Sequence, residues 1–183
     1  MNKVMKIARK RAVLFACMLG FSLLLAGAAS ASDLTASEFE LMSEAADAYL
    51  SSGKSPNITA QDLFNVLNDG DSGNDPFVLS VRSASQYAKG HIASAINIPW
   101  REVAKQENLA KLPKDRQIVV YCFTGHTASQ VTAVLNILGY DAINLKFGMT
   151  SWTRDTDIAP GRYQEVKDAK DYPYVTGDDP GSW

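Results

Sequence analysis

The chain has 183 residues, 46% of them hydrophobic, with 18 basic and 20 acidic side chains and a formal net charge of −2. A slightly acidic chain of this length is large enough to bury a core and is a poor binder of nucleic acid or of an anionic membrane surface. Its two cysteines, Cys17 and Cys122, are too few for a disulfide framework.

Residues 1–31 read as a cleaved signal peptide. Lys3, Lys6, Arg9, Lys10 and Arg11 form a basic start, residues 12–27 an apolar stretch, and Ala29-Ser30-Ala31 a small-x-small cleavage pattern. The apolar stretch is short for a membrane span and ends in small residues. Without these five cations the chain keeps 13 basic against 20 acidic residues, a net charge of −7, and Cys122 is its only cysteine. The expected location is periplasmic or secreted, with no membrane association after cleavage. A lone thiol in an oxidising compartment is a liability unless it has a task.

Residues 32–56 read as an N-terminal helical extension. Thr35-Ala36-Ser37-Glu38 is a capping-box pattern, and Phe39, Met42, Ala46, Tyr49 and Leu50 share one helical face that packs on the main body or on a partner. The main domain is expected over residues 57–152. Thr59 is placed to cap a helix carrying Leu63, Phe64 and Leu67. The acidic stretch 69–76 lacks calcium-loop spacing and reads as a solvated turn. Residues 77–81 predict a strand, 84–89 a helix, 95–98 a strand, 102–109 a helix and 117–121 a strand. A helix carrying Val131, Val134, Leu135 and Leu138 follows, with Gly139 as its C-terminal cap, and then a strand over 141–145. This alternation predicts an α/β fold with a largely parallel central sheet flanked by helices. Residues 153–183 form a C-terminal tail rich in Asp, Pro, Gly and Tyr that is expected to wrap the surface.

The most informative stretch is Val119-Val120-Tyr121-Cys122-Phe123-Thr124-Gly125-His126-Thr127-Ala128-Ser129. A buried strand delivers Cys122 into a glycine-containing loop that runs into a helix N-terminus. Free N–H groups and the positive end of the helix dipole favour an anion there, so Cys122 is placed to act as a thiolate nucleophile. Gly125 is the residue best able to take a positive φ and curl the loop. His126 is the only ionisable side chain inside the loop. A cysteine phosphatase would need an arginine at the position of Ala128 to clamp phosphoryl oxygens and a histidine before the cysteine, where Tyr121 stands. No metal site is expected, since there is no thiolate cluster or histidine pair.

Three stretches stand out together: Val81-Arg82-Ser83 with Tyr87-Ala88-Lys89-Gly90-His91-Ile92-Ala93-Ser94-Ala95-Ile96-Asn97-Ile98-Pro99; the loop from Cys122 to Thr127; and Leu138-Gly139-Tyr140 with Asn144, Leu145, Gly148 and Trp152. Over residues 57–152 their combination resembles a rhodanese (sulfurtransferase) domain. The resemblance implies sulfane-sulfur transfer from polysulfide, a persulfide or thiosulfate to a thiophilic acceptor, through a persulfide on Cys122 and without a cofactor. It also implies a cradle of backbone N–H groups over Phe123, Thr124, Gly125, His126 and Thr127. Small sulfur-containing anions are the expected partners, with a protein thiol as a further acceptor. The extension and tail suit docking or a homodimer. The alternatives are a rhodanese-fold binding module that transfers nothing and a periplasmic sulfur carrier.

This chain departs from the family pattern in having no Arg or Lys in the loop, so weak use of thiosulfate is expected. Ser80 stands where an aspartate is usual, which removes a partner for Arg82. Arg82 is a candidate substrate contact, with an internal salt bridge or carbonyl clamp as its scaffold alternative. His91 is expected to fix a local turn. Met149 replaces a second glycine near Gly148, a change expected to affect packing more than chemistry.

Overall fold

The apolar run ending in Cys122 is buried on both sides because it forms the middle of a sheet. The computed structural model describes residues 36–177; residues 1–35, which hold the leader and Thr35 of the capping-box pattern, and residues 178–183 lie outside them. Five parallel strands, β1 (Asn57–Ile58), β2 (Phe77–Ser80), β3 (Ile96–Asn97), β4 (Ile118–Tyr121) and β5 (Ala142–Leu145), stand in the order β1-β5-β4-β2-β3. β4 pairs with β5 on one side and β2 on the other, Val120 lying opposite both Leu79 and Asn144. A strand buried on both faces needs no polar alternation, which is why this segment reads as continuous Ile-Val-Val-Tyr.

Period-two geometry then divides the core between the two faces. Ile118, Val120 and Cys122 join Leu79, Val81 and Ile98 on one face, covered by Ala128, Val131 and Leu135 of α5 (His126–Ile137). Val119 and Tyr121 join Val78 and Leu145 on the other. There they meet Leu63 of α2 (Ala60–Leu67) and Met149 of α6 (Gly148–Trp152), with Tyr87 of α3 (Ala84–Lys89) packed at the edge. Thr59 caps α2 as its position predicts, its hydroxyl accepting from the Asp62 amide at 3.1 Å. The 69–76 turn uses its carboxylates internally: Asp69 accepts from the Asp71 amide and from Asn74 Nδ2, both at 2.8 Å.

Three expectations are corrected. The helix predicted over 102–109 is split into a 3-10 turn (Trp100–Glu102) and a short α4 (Gln106–Leu109). Lys105 takes an extended ψ of 138°, and Asn108 Nδ2 donates to the Glu102 carbonyl at 2.8 Å in place of a continuing helical amide. The break lets Val103 turn into the core. The helix before the domain, α1 (Ala36–Leu50), lies against α5, yet Phe39 and Met42 of its predicted apolar face are exposed. Among residues 37–50, Ala45, Ala46 and Tyr49, in its second half, are the partly covered ones.

The segment after α6 is not a mere surface wrap. Ala159 is buried in the α2-side core with Ile158 packed beside it, and a short α7 (Glu165–Asp168) follows. Among the described residues no helix is long and apolar enough to cross a membrane.

Candidate active site

Parallel strands put the amino ends of the following helices at one edge of the sheet, and β4 delivers Cys122 to that edge. The next turn is forced by Gly125, which caps α5 at φ +88°. A glycine at the cap contributes no side-chain oxygen, so the first-turn amides of His126, Thr127 and Ala128 have no capping partner. Ser129 is the first to close a helical bond, its amide donating to the Gly125 carbonyl at 2.9 Å. The Gly125 amide itself donates to Cys122 Sγ at 3.2 Å. Cys122 is buried, and it is the free cysteine among the described residues.

The loop is held from behind by α6. The Met149 amide donates to the Cys122 carbonyl and the Thr150 amide to the Phe123 carbonyl, both at 3.0 Å. With these two carbonyls bound to α6, the loop is fixed in the conformation in which the Gly125 amide meets the sulfur. Gly148 permits the approach: a Cβ there would lie 2.5 Å from the Cys122 carbonyl oxygen and 2.8 Å from the Phe123 carbonyl carbon. The residue before it, Phe147, is held in left-handed backbone at φ +62°, its carbonyl accepting from the Thr150 hydroxyl at 2.6 Å.

The remaining loop side chains are arranged around this cradle. Phe123, Thr124 and Thr127 are half-buried, while His126 is exposed on the first turn of α5 with Nδ1 2.7 Å from Thr124 Oγ1. Arg82 lies under the loop, 3% exposed, its guanidinium carbon 5.4 Å from the ring centres of both Tyr121 and Phe123. Nη2 donates to the Gly90 carbonyl at 2.6 Å, Nη1 to the Ile158 carbonyl at 3.3 Å, and Nε to the Ser80 hydroxyl at 3.4 Å. That is the carbonyl-clamp geometry. The ion pairs among the described residues join Lys54 to Asp141 and Lys105 to Glu102, so Arg82 has no carboxylate. Arg82→Met is expected to lower the free energy of unfolding by about 2 kcal/mol, because two carbonyls lose a charged donor while the cost of burying the charge is also removed. A urea titration measures it; an unchanged midpoint would show that the clamp contributes nothing.

His91 stacks on Tyr87 at 3.8 Å and its Nδ1 meets the Tyr87 carbonyl at 3.0 Å, a local turn contact. The Tyr87 hydroxyl donates to the Ala95 carbonyl, and burial, with Tyr121 beside it, holds the phenol above its ordinary range. The α6 amides that fix the loop are absent from the sequence reading. Gly148 was their visible trace, a glycine placed where two backbone segments touch.

Fold and site together define a class: an α/β protein that holds a cysteine in a glycine-containing loop between a central strand and a helix. The family profile for the Rhodanese-like domain matches residues 59–155, just over half of the chain, and the chain belongs to that family. Among curated relatives, the chain is 34% identical over 110 residues to "Probable adenylyltransferase/sulfurtransferase MoeZ" of Mycobacterium tuberculosis, a match covering 60% of this chain and 27% of the relative. It is 31% identical over 81 residues to "Sulfurtransferase" of Allochromatium vinosum, covering 44% of this chain and 74% of that one. It is 32% identical over 71 residues to "Thiosulfate sulfurtransferase PspE" of Escherichia coli, covering 39% and 68%. The matched stretch thus spans about a quarter of MoeZ's length.

Proposed function

We propose that the chain is a sulfurtransferase that carries sulfane sulfur as a persulfide on Cys122. The observation that supports this most is the Gly125 N–H on Cys122 Sγ at the open amino end of α5. An anionic sulfur is stabilised there by oriented backbone N–H groups. In the first half-reaction Sγ, as thiolate, attacks the sulfane sulfur of the donor. An S–S bond forms, and the donor's remaining fragment leaves with the electron pair of the bond that breaks. In the second, a thiophilic acceptor attacks the outer sulfur and Sγ departs as thiolate. The scheme uses no metal and no organic cofactor. In this reading residues 1–31 direct the chain to the periplasm or the exterior.

The loop favours polysulfide or a persulfide over thiosulfate as donor. A doubly charged oxyanion finds the Thr124 and Thr127 hydroxyls and the His126 imidazole there, but no cation in the loop. His126→Arg should therefore raise thiosulfate use relative to polysulfide by about tenfold, as a bidentate guanidinium reaches a sulfonate oxygen pair. Competing the two donors in a cyanide assay measures the ratio, and an unchanged ratio would show that loop charge is not the limit. The same cation-free loop favours one second reading, a module or carrier that binds through this fold and turns over slowly.

A further inference from the structure

Beside the sulfur cradle lies a cleft of about 980 Å³. The outer flank of the loop, Thr124 to His126, forms one wall, and the C-terminal segment around Arg162, Tyr163 and Lys167 forms the other. Its charge opposes that of the chain. Lys146, Arg162 and Lys167 face a single carboxylate, Asp168, whose Oδ2 already accepts from the Gln164 amide at 2.8 Å. Among the described residues none of these three cations is in an ion pair. Two aromatic side chains at the cleft, Phe147 and Tyr163, are 61% and 66% exposed. Asn144 lines the cleft near the end of β5; it is 5% exposed, with Nδ2 bound to Asn57 Oδ1 at 2.7 Å.

We propose that this cleft docks an acidic, cysteine-bearing peptide segment of a protein acceptor, which takes the sulfur from Cys122. The proposal rests on the persulfide reading and names its acceptor. Peptide chemistry fits the lining: carboxylates meet the three cations, and the exposed Phe147 and Tyr163 with Arg162 are residue types enriched at protein-binding surfaces. The volume is at the upper end of the roughly 300–1,000 Å³ of small-molecule pockets, and the cleft is open to solvent. In the transfer step the acceptor thiolate attacks the outer sulfur of the persulfide. The new S–S bond forms as the Sγ–S bond breaks, and Sγ keeps the electron pair as a thiolate beside the Gly125 N–H. The step needs no external oxidant or reductant.

The test loads Cys122 with polysulfide, verifies the adduct by mass, and follows transfer to two peptides of equal length. Each carries one cysteine, flanked by glutamates in one and by lysines in the other, with rates normalised to 2-mercaptoethanol for each protein. The acidic peptide should show a KM about tenfold below that of the basic one, a preference that weakens with added salt. In Lys146→Glu/Lys167→Glu, two exposed positions, the order should reverse. Equal KM values, or a preference that survives charge reversal, would overturn the cleft's role. A KM for glutathione equal to that of the acidic peptide would replace the peptide with a small carboxylate thiol. Failure to load sulfur at all would refute the persulfide reading first and this proposal with it.

Discussion

Cys122→Ser is expected to abolish sulfur transfer, lowering turnover by at least about a thousandfold with every donor, while the protein remains folded. The covalent step has no substitute: a serine hydroxyl neither attacks sulfane sulfur at neutral pH nor leaves as a stable anion. The fold should tolerate the change. The hydroxyl can still accept the Gly125 amide that meets Sγ at 3.2 Å, and the carbonyl of residue 122 keeps its bond from the Met149 amide. A stability change within about 1 kcal/mol is therefore expected. Cyanide-coupled turnover, run beside a urea titration, separates the two effects. Residual transfer at wild-type rate would remove Cys122 from the mechanism, whereas an unfolded variant would assign it a packing role.

Gly148→Ala should be the most damaging substitution that touches no reacting atom. The added Cβ would meet backbone on the opposite segment, 2.5 Å from the Cys122 carbonyl oxygen, and residue 148 sits at φ +51°, where an L side chain is strained. Neither conflict is relieved by rotating a side chain, so α6 must move away from the loop. A loss of about 2–4 kcal/mol is expected from overpacking and backbone strain together. Sulfur loading should slow as well, because the Met149 and Thr150 amides would release the carbonyls that fix the loop in which the Gly125 N–H meets the sulfur. Denaturation midpoints and loading rates check both halves. A loss under 1 kcal/mol with normal loading would mean that the α6 contact does not organise the cradle.

The sequence exposes those parts of the molecule whose determinants are local. The Ile-Val-Val-Tyr run, the glycine three residues after the cysteine and the helical recurrence of Val131 and Leu135 each act through neighbours in the chain, and β4, the loop and α5 follow from them. Gly125 adopts the positive φ that its place in the turn predicts. The parts that were not legible depend on contacts distant in sequence. β1 is two residues long and exists because Asn57 and Ile58 pair with Asn144 and Leu145. α6 begins at a glycine after a left-handed phenylalanine, with no capping side chain, and is fixed by its bonds to the loop. Arg82 reads from sequence as a cation without its usual carboxylate. The structure shows why it stays buried: one of the carbonyls it clamps belongs to Ile158, 76 positions away. The tail's wall on the cationic cleft is of the same kind.

The central claim is that Cys122 holds sulfur covalently, and intact-protein mass spectrometry tests it most directly. The protein is measured before and after brief exposure to polysulfide and, separately, to thiosulfate. The account predicts a gain of about 32 Da, one sulfur atom, larger in extent with polysulfide, reversed by cyanide and absent in Cys122→Ser. No adduct from either donor, with a thiol that still reacts with an alkylating reagent, would contradict it and leave a rhodanese fold that binds without transferring.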